Sequence, residues 1–196
     1  MLDRYDAPHQ TENPYPDAPT KITDFRYDTA LVLLRLRDAP RMRNGEDADY
    51  IVGRAYKISW QDAAGIWHPL TTPPGLLTDL TSVPRLFRFL VGRVGPWLEA
   101  AIVHDYLYIA WQDIGDRGAR EADRRFADNL MLAAMIAARV GLLRRWAIFA
   151  ALRVFGAAGY RRRSSQRFVD VTDAEIIDQI LPPPPERPSA EVSVCR

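Results

Sequence analysis

The apolar and polar positions change their period about a third of the way along the chain. Up to Leu70 the apolar residues form short runs rich in branched and aromatic side chains, which is typical of strands. We predict strands over 30–36, 50–60 and 66–70. Proline, asparagine and glycine indicate a loop over 38–49, and a turn follows at 62–65. The first third of the chain is therefore expected to be a small antiparallel β unit.

Beyond the β unit, the apolar spacing becomes that of helices. An irregular loop over 76–85 and one or two helical turns over 86–91 come first. Three helices are predicted to follow, from Pro96 to about Trp111, from 119 to 139 and from 142 to 158, with the proline at a favoured first position. Because the connection over 114–118 is short, the second helix is expected to return antiparallel to the first.

The second helix carries charged residues on two sides. Its apolar spacing predicts a buried face that consists of Ala122, Phe126, Leu130, Ala133 and Ala137. Asp123 falls on this apolar face, where a carboxylate is costly unless it has a partner. Arg124, Arg125 and Asp128 are predicted to point outward.

The fold class that these patterns predict is α+β. We expect an extended, proline-containing arm over 1–24 and a single domain over 25–160, in which the β unit ends at 75 and the loop and helical core begin at 76. Residues 161–196 are expected to form a basic linker, a short helix over 173–181 and a proline-rich tail.

Composition and charge narrow the functional classes. Cys195 is the single cysteine of the 196 residues, so an internal disulfide and a cysteine-based metal site are excluded. The first residues lack the layout of a signal peptide, so we expect a protein that is cytoplasmic when made. Three arginines interrupt the longest apolar stretch, 141–160, so we expect no membrane span. The segment from Gly118 to Arg167 contains eleven arginines and three acidic residues. This half could meet the phosphates of lipid or nucleic acid, or the acidic N-terminal part of the chain.

The first predicted helix holds an unusual cluster of polar residues within an apolar sequence. His104 and Tyr108 are four positions apart and share a face, and Asp105 lies beside them. A lone histidine in such a helix is usually a satisfied core residue. The convergence of a base, an acid and a phenol indicates a site instead.

Packing of the first two helices would extend this cluster. In that arrangement Asp123 lies near His104, where a carboxylate orients an imidazole as a base, and Tyr108 can donate to the same carboxylate. Asp105 would point toward the loop that contains Asp79. Two carboxylates with main-chain carbonyls predict a site for a hard cation, Ca²⁺ in preference to a soft metal. A water between the metal and His104 would be the nucleophile of a hydrolase.

Three segments resemble secreted phospholipases A2, most closely the short bacterial and fungal members. The sequence His-Asp-Tyr-Leu-Tyr at 104–108 resembles their His-Asp-x-x-Tyr signature. The sequence Thr-Asp-Leu-Thr-Ser-Val-Pro at 78–84 is similar to their calcium loop, and 121–131 is similar to their second catalytic helix. The chain is also identified as a member of a large, uncharacterised family, mostly phage- and prophage-borne, with a Thr-Asp-x-x-Ser-x-Pro-Arg loop followed by His-Asp-Tyr-Leu-Tyr.

The resemblance implies a phospholipase A2-like helical core and a role for each matching residue. His104 would be the general base, Asp123 its orienting partner and Tyr108 a support for Asp123. Asp79 and Asp105 would bind calcium. Two further loop residues, Ser82 and Arg85, would brace the loop. Arg85 could instead bind a phosphate, or form an ion pair with a nearby acid.

Three functions are compatible with the sequence. The first is a metal-assisted ester hydrolase that acts on phospholipid or another ester. The second is a non-catalytic structural or interaction protein of a phage particle, associated with the virion, that keeps the fold and docks on other particle proteins through its proline-rich ends. Nucleic-acid binding is the weakest of the three, because the sequence shows no reading motif.

Overall fold

The computed structural model describes residues 13–35, 50–78, 95–115, 117–163 and 167–168. Within these residues, two three-stranded antiparallel sheets are followed by three helices, which confirms the α+β class. The strands are β1 (Asp24–Tyr27), β2 (Leu33–Arg35), β3 (Tyr50–Val52), β4 (Tyr56–Gln61), β5 (Trp67–Thr72) and β6 (Leu77–Thr78). The helices are α1 (Leu98–Ala110), α2 (Glu121–Ala137) and α3 (Leu142–Arg161), and a 3-10 turn, Trp111–Asp113, continues α1.

The first sheet has the order β1-β4-β5 and contains the predicted hairpin. In β4 the side chains of Tyr56, Ile58 and Trp60 are buried. The turn after β4 forms because Asp62 accepts hydrogen bonds from the main-chain N–H groups of two turn residues, at 2.8 and 2.9 Å. Gly65 has a φ of 82°, a conformation that favours glycine. The predicted turn at 62–65 therefore joins β4 to β5.

The second sheet, β2-β3-β6, divides what the sequence predicts as one strand over 50–60. The chain leaves β3 at Gly53, where an added Cβ would lie 3.0 Å from the side chain of Leu34. A larger residue at this position would press on β2. Residues 53–55 then connect β3 to β4, which belongs to the other sheet. The strand β1, of four residues, begins at the end of the predicted arm and precedes the first predicted strand, and β6, of two residues, lies in the predicted loop.

The three helices of the described residues follow the predicted order and differ from the prediction at their ends. The first begins at Leu98 instead of Pro96, because the main chain before it forms a turn in which Leu98 N–H donates to the Gly95 carbonyl at 2.9 Å. The third continues to Arg161, three residues beyond the predicted end. At the end of α2, Arg139 takes a φ of 56°, and Val140 N–H donates to the carbonyl of Met135 at 2.9 Å.

One core joins the sheets and the helices. The ring of Trp60 in β4 packs on Phe126 in α2 with 5.1 Å between ring centroids, and Tyr27 in β1 donates its hydroxyl to the carbonyl of Ala134 at 2.9 Å. Within the described part of the chain, no helix is long and apolar enough to cross a membrane.

The N-terminal segment 13–23 is attached to this core by Tyr15, which is buried. Its hydroxyl donates to the carbonyl of Leu107 in α1 and accepts the N–H of Trp111 at 3.2 Å. Its ring contacts Phe126 edge to face. The end of α1 is thus closed by a side chain from the far N-terminal part of the sequence.

Candidate functional site

The carboxylate of Asp128 in α2 is the centre of a buried polar network. It is completely buried and accepts three hydrogen bonds. Tyr108 donates its hydroxyl to Oδ1 at 2.7 Å, and His104 Nε2 lies 3.2 Å from the same oxygen. Arg124 donates from Nη1 to Oδ2 at 3.0 Å, and Arg153 Nε lies 3.7 Å from that oxygen. Three helices therefore meet at one carboxylate.

Helical spacing explains why these side chains converge. His104 and Tyr108 are one turn apart on α1, with ring centroids 3.9 Å apart, so both reach the same carboxylate. Arg124 precedes Asp128 by four positions on α2 and forms an (i, i+4) ion pair with it. In α3, Gly156 lets that helix approach, because a Cβ at this position would overlap the hydroxyl of Tyr108.

His104 lies between two carboxylates. Its Nε2 faces Asp128, and its Nδ1 lies 4.0 Å from Asp105 Oδ1, which is an ion-pair distance. Thr78, the last residue of β6, donates its hydroxyl to the other oxygen of Asp105 at 2.7 Å. Burial by itself would lower the pKa of His104, but the two carboxylates outweigh it, so the pKa is raised above its ordinary value of 6.5.

Arg124 supplies the positive charge that balances Asp128. Glu121 accepts two hydrogen bonds from it, at 2.7 and 3.0 Å, and the carbonyl of Leu152 in α3 accepts another at 3.3 Å. The hydrogen bonds to Glu121 are the main reason that the pKa of Arg124 is raised. In turn, Arg124 and Arg125 lower the pKa of Glu121 to about 2. Asp128 thus faces a guanidinium that stays charged.

The prediction that Asp123 orients His104 is wrong, and so is the prediction that Tyr108 supports Asp123. Asp123 is buried as expected, but its partner is Arg117, which donates to both carboxylate oxygens at 2.7 and 2.9 Å. On a helix, positions five apart differ in direction by about 140°. Asp123 and Asp128 therefore cannot both face α1, and the structure gives that place to Asp128.

The predicted orientation of Arg124, Arg125 and Asp128 is correct for one residue. Arg125 is exposed, whereas Arg124 and Asp128 are buried. An amphipathic pattern treats every charged residue as solvent-facing. It does not register that a carboxylate and a guanidinium one turn apart can neutralise each other within a core.

Of the predicted calcium ligands, Asp105 is described and Asp79 is not. Asp79, Ser82, Arg85 and the predicted helical turns over 86–91 lie outside the described residues. Among the residues that the structure does describe, no three or more histidine, cysteine, aspartate or glutamate side chains group as metal ligands do. Asp105 and the Thr78 hydroxyl are oxygen donors, but Ca²⁺ takes six to eight. The described residues alone do not make a calcium site.

A groove of about 810 Å³ lies on the guanidinium side of the network. Residues 16–20 form one wall and the first turns of α2 form the other, with Arg124 and Arg153 among the lining residues. His104 and Asp105 do not line it. In the described part of the chain the imidazole is enclosed, and its Nδ1 side faces Asp105 and the end of β6.

Sequence reasoning missed Thr78, Arg124, Asp128 and Arg153 as members of this network. A signal existed for two of them, because Arg124 and Asp128 have the (i, i+4) spacing of an ion pair directly after Glu121. The approach of Thr78 and Arg153 depends on tertiary packing and has no local signal.

The fold and the site define an α+β protein with a buried histidine–carboxylate network between three helices. A sequence profile described as "Protein of unknown function (DUF1353)" matches residues 55–152, half of the chain, and the chain belongs to this family. The matched region runs from β4 into α3 and includes His104, Asp105 and Asp128. Membership of an uncharacterised family is thereby confirmed. No curated protein and no solved structure matches the chain.

Proposed function

We propose that the protein is an ester hydrolase in which His104 is the general base and Asp128 orients it. One observation carries this proposal: the Nε2 side of the imidazole is held by a buried carboxylate, while its Nδ1 side is turned toward Asp105 and the end of β6. A carboxylate on one ring nitrogen fixes the tautomer and leaves the other nitrogen to take a proton. The phospholipase resemblance assigns the role of base to His104; it assigned the orienting role to Asp123, which pairs with Arg117 instead.

Tyr108 and Arg124 are positioning residues in this proposal. Both donate hydrogen bonds to Asp128, so they fix the carboxylate that fixes the base, and the ring of Tyr108 also packs against the imidazole. Because the pKa of His104 is raised, the base form appears above pH 6.5. Hydrolysis should therefore increase with pH through a pKa above that value.

We also propose that Ca²⁺ binds weakly through Asp105 and Asp79. The support is the oxygen-only chemistry of Asp105 and Thr78 and the position of Asp79 directly after Thr78 in the sequence. Calorimetric titration of the full chain with Ca²⁺ tests this part separately. Heat of binding that is lost in Asp105→Asn supports it, and wild-type protein that takes up no calcium overturns it.

The hydrolase proposal is tested with the full chain on phospholipid vesicles and on a soluble chromogenic ester, each with calcium or with a chelator. Replacement of a general base typically lowers the rate by about 10²–10⁴-fold, so His104→Gln should fall into that range. Glu121→Gln is the matched control, because Glu121 also forms an ion pair with Arg124 but its side chain is exposed. All variants are assayed below their melting temperatures. Wild-type protein without activity on either substrate, or an active His104→Gln variant, overturns the proposal.

A second candidate is a non-catalytic interaction protein, including a component of a phage particle that docks through its proline-rich ends. The enclosure of the network favours it, because Asp128 is completely buried and His104 is 5% exposed. If the protein has this role, His104→Gln lowers the melting temperature, and neither wild type nor the variant hydrolyses an ester. The rate assay and the melt of this one variant therefore distinguish the two functions.

A further inference from the structure

The outward side of α3 carries apolar side chains that the described fold does not cover. We call Leu143, Trp146, Ala150 and Val154 the α3 stripe, because spacings of three and four place them on one face of the helix. Leu143 is 87% exposed, Val154 69% and Trp146 50%. Exposed apolar residues that are contiguous, unlike scattered ones, mark an interaction surface.

The opposite side of α3 already holds the helix in the fold. Ile148 and Ala151 are buried, the carbonyl of Leu152 accepts from Arg124, and Gly156 lies against Tyr108. The α3 stripe is therefore not used in packing this helix on α1 and α2. It is a second apolar face on the same helix.

The chain segment that contains the stripe carries charge of one sign. From Asn129 to Val169 the sequence contains eight arginines and no acidic residue. Arg144 lies in the first turn of α3, and Arg161, Arg162 and Arg163 lie at its end; all four are exposed. The guanidinium of Arg144 also lies 5.3 Å above the ring of Trp97, which keeps it at the start of the stripe. Apolar side chains are thus placed between two cationic ends.

We propose that the α3 stripe and its flanking arginines bind an anionic lipid surface. Leucine, valine and tryptophan would enter the boundary between headgroups and acyl chains, and the arginines would meet lipid phosphates. The helix would lie in the plane of the surface, since Arg153 in its middle pairs with Asp128 and Asn129 of α2. This inference does not depend on the proposed hydrolase activity.

Two other partners fit the surface less well. Nucleic acid would engage the arginines through its phosphates but would leave Leu143 and Val154 in water. A second copy of the chain would cover the apolar residues but would bring arginines of like charge together. An anionic membrane satisfies the apolar and the cationic parts at once.

Co-sedimentation of the full chain with vesicles, in chelator, tests the proposal. Vesicles of phosphatidylcholine alone are compared with equimolar phosphatidylcholine and phosphatidylglycerol. We expect binding to the anionic vesicles that falls with added salt. The double substitution Leu143→Ser with Val154→Ser should weaken it by about tenfold or more, because it removes two apolar anchors. Ile66→Ser in the β4–β5 turn, also at an exposed apolar side chain, is the matched control and should bind as wild type does.

Two further measurements keep the test decisive if the double variant melts below wild type. Arg161→Gln, Arg162→Gln and Arg163→Gln together should remove the preference for anionic vesicles. Brominated lipid should quench tryptophan fluorescence in wild type and quench it much less in Trp146→Phe, which retains an apolar ring.

Three results would overturn the proposal. The first is vesicle binding that neither the serine nor the glutamine substitutions weaken. The second is tighter binding to duplex DNA than to anionic vesicles. The third is a dimer in light scattering that the serine substitutions dissociate, without vesicle binding.

Discussion

Replacing Asp128 by asparagine perturbs the buried network at its centre while conserving the shape of the side chain. The substitution removes the negative charge that faces Arg124 and, at 3.7 Å, Arg153. The NH₂ group of the asparagine also takes the place of one carboxylate oxygen, so a donor then faces either His104 and Tyr108 or Arg124. Loss of one partner from a buried ion pair typically costs about 3–5 kcal/mol. Since Arg124 keeps its hydrogen bonds to Glu121, we expect a value near the lower end of that range.

The expected cost is large enough to measure in a thermal melt. For a protein of this size, 1 kcal/mol corresponds to about 2–4 °C, so Asp128→Asn should melt roughly 6–12 °C below wild type. Glu121→Gln is the control, because its carboxylate is partly exposed and Arg124 keeps Asp128 as a partner, so the loss should be smaller than for Asp128→Asn. Urea unfolding gives the same comparison as a free energy. If Asp128→Asn melts within about 2 °C of wild type, the network does not stabilise the fold and the reasoning fails.

Four further predictions test other features of the structure. The raised pKa of His104 stabilises the folded state; this stabilisation is complete below pH 6.5 and is lost as the pH rises through the folded-state pKa. The difference in melting temperature between wild type and His104→Gln should therefore shrink from pH 6 to pH 9. A constant difference would contradict the raised pKa. Gly156→Ala should destabilise by about 1–3 kcal/mol through overlap with the Tyr108 hydroxyl. In a protein that already carries Tyr108→Phe, adding Gly156→Ala should be neutral or stabilising. Equal effects of Gly156→Ala in wild type and in Tyr108→Phe would refute the overlap. Arg117→Ala should cost about 3–5 kcal/mol in urea unfolding, because it leaves a buried carboxylate without its guanidinium; an unchanged urea midpoint would contradict this. Arg139→Gly should raise the melting temperature, because the positive φ of this residue costs about 1–2 kcal/mol in any residue except glycine. A lower melting temperature would show that the arginine side chain stabilises the fold by more than the backbone strain destabilises it.

The sequence predicted the helices and the β4–β5 hairpin because both have strong local signals. Each helix is long enough for apolar spacing to be read over several turns. The hairpin has a turn whose aspartate and glycine supply its hydrogen bonds and its positive φ. The strands β1 and β6 have no comparable signal, because four and two residues are too few to show alternation.

The candidate site was predicted in part, for a related reason. The pairing of His104 with Tyr108 follows from helical geometry within one element and needs no tertiary information. The choice between Asp123 and Asp128 requires the rotation of α2 about its axis, and apolar spacing set it incorrectly. Two guanidiniums decide the outcome, since Arg117 takes Asp123 and Arg124 neutralises Asp128. Charge pairing inside a core is set by contacts that the order of residues does not display.

The burial of Tyr15 bears on the order in which the chain can fold as it is made. Its carbonyl partner, Leu107, follows it by 92 positions. During synthesis the segment 13–23 leaves the ribosome well before α1 and α2, so its binding place does not yet exist. Contacts over such separations close late, after the local helices have formed. A fusion partner attached ahead of this segment would therefore act on a final docking step and leave the earlier steps unchanged.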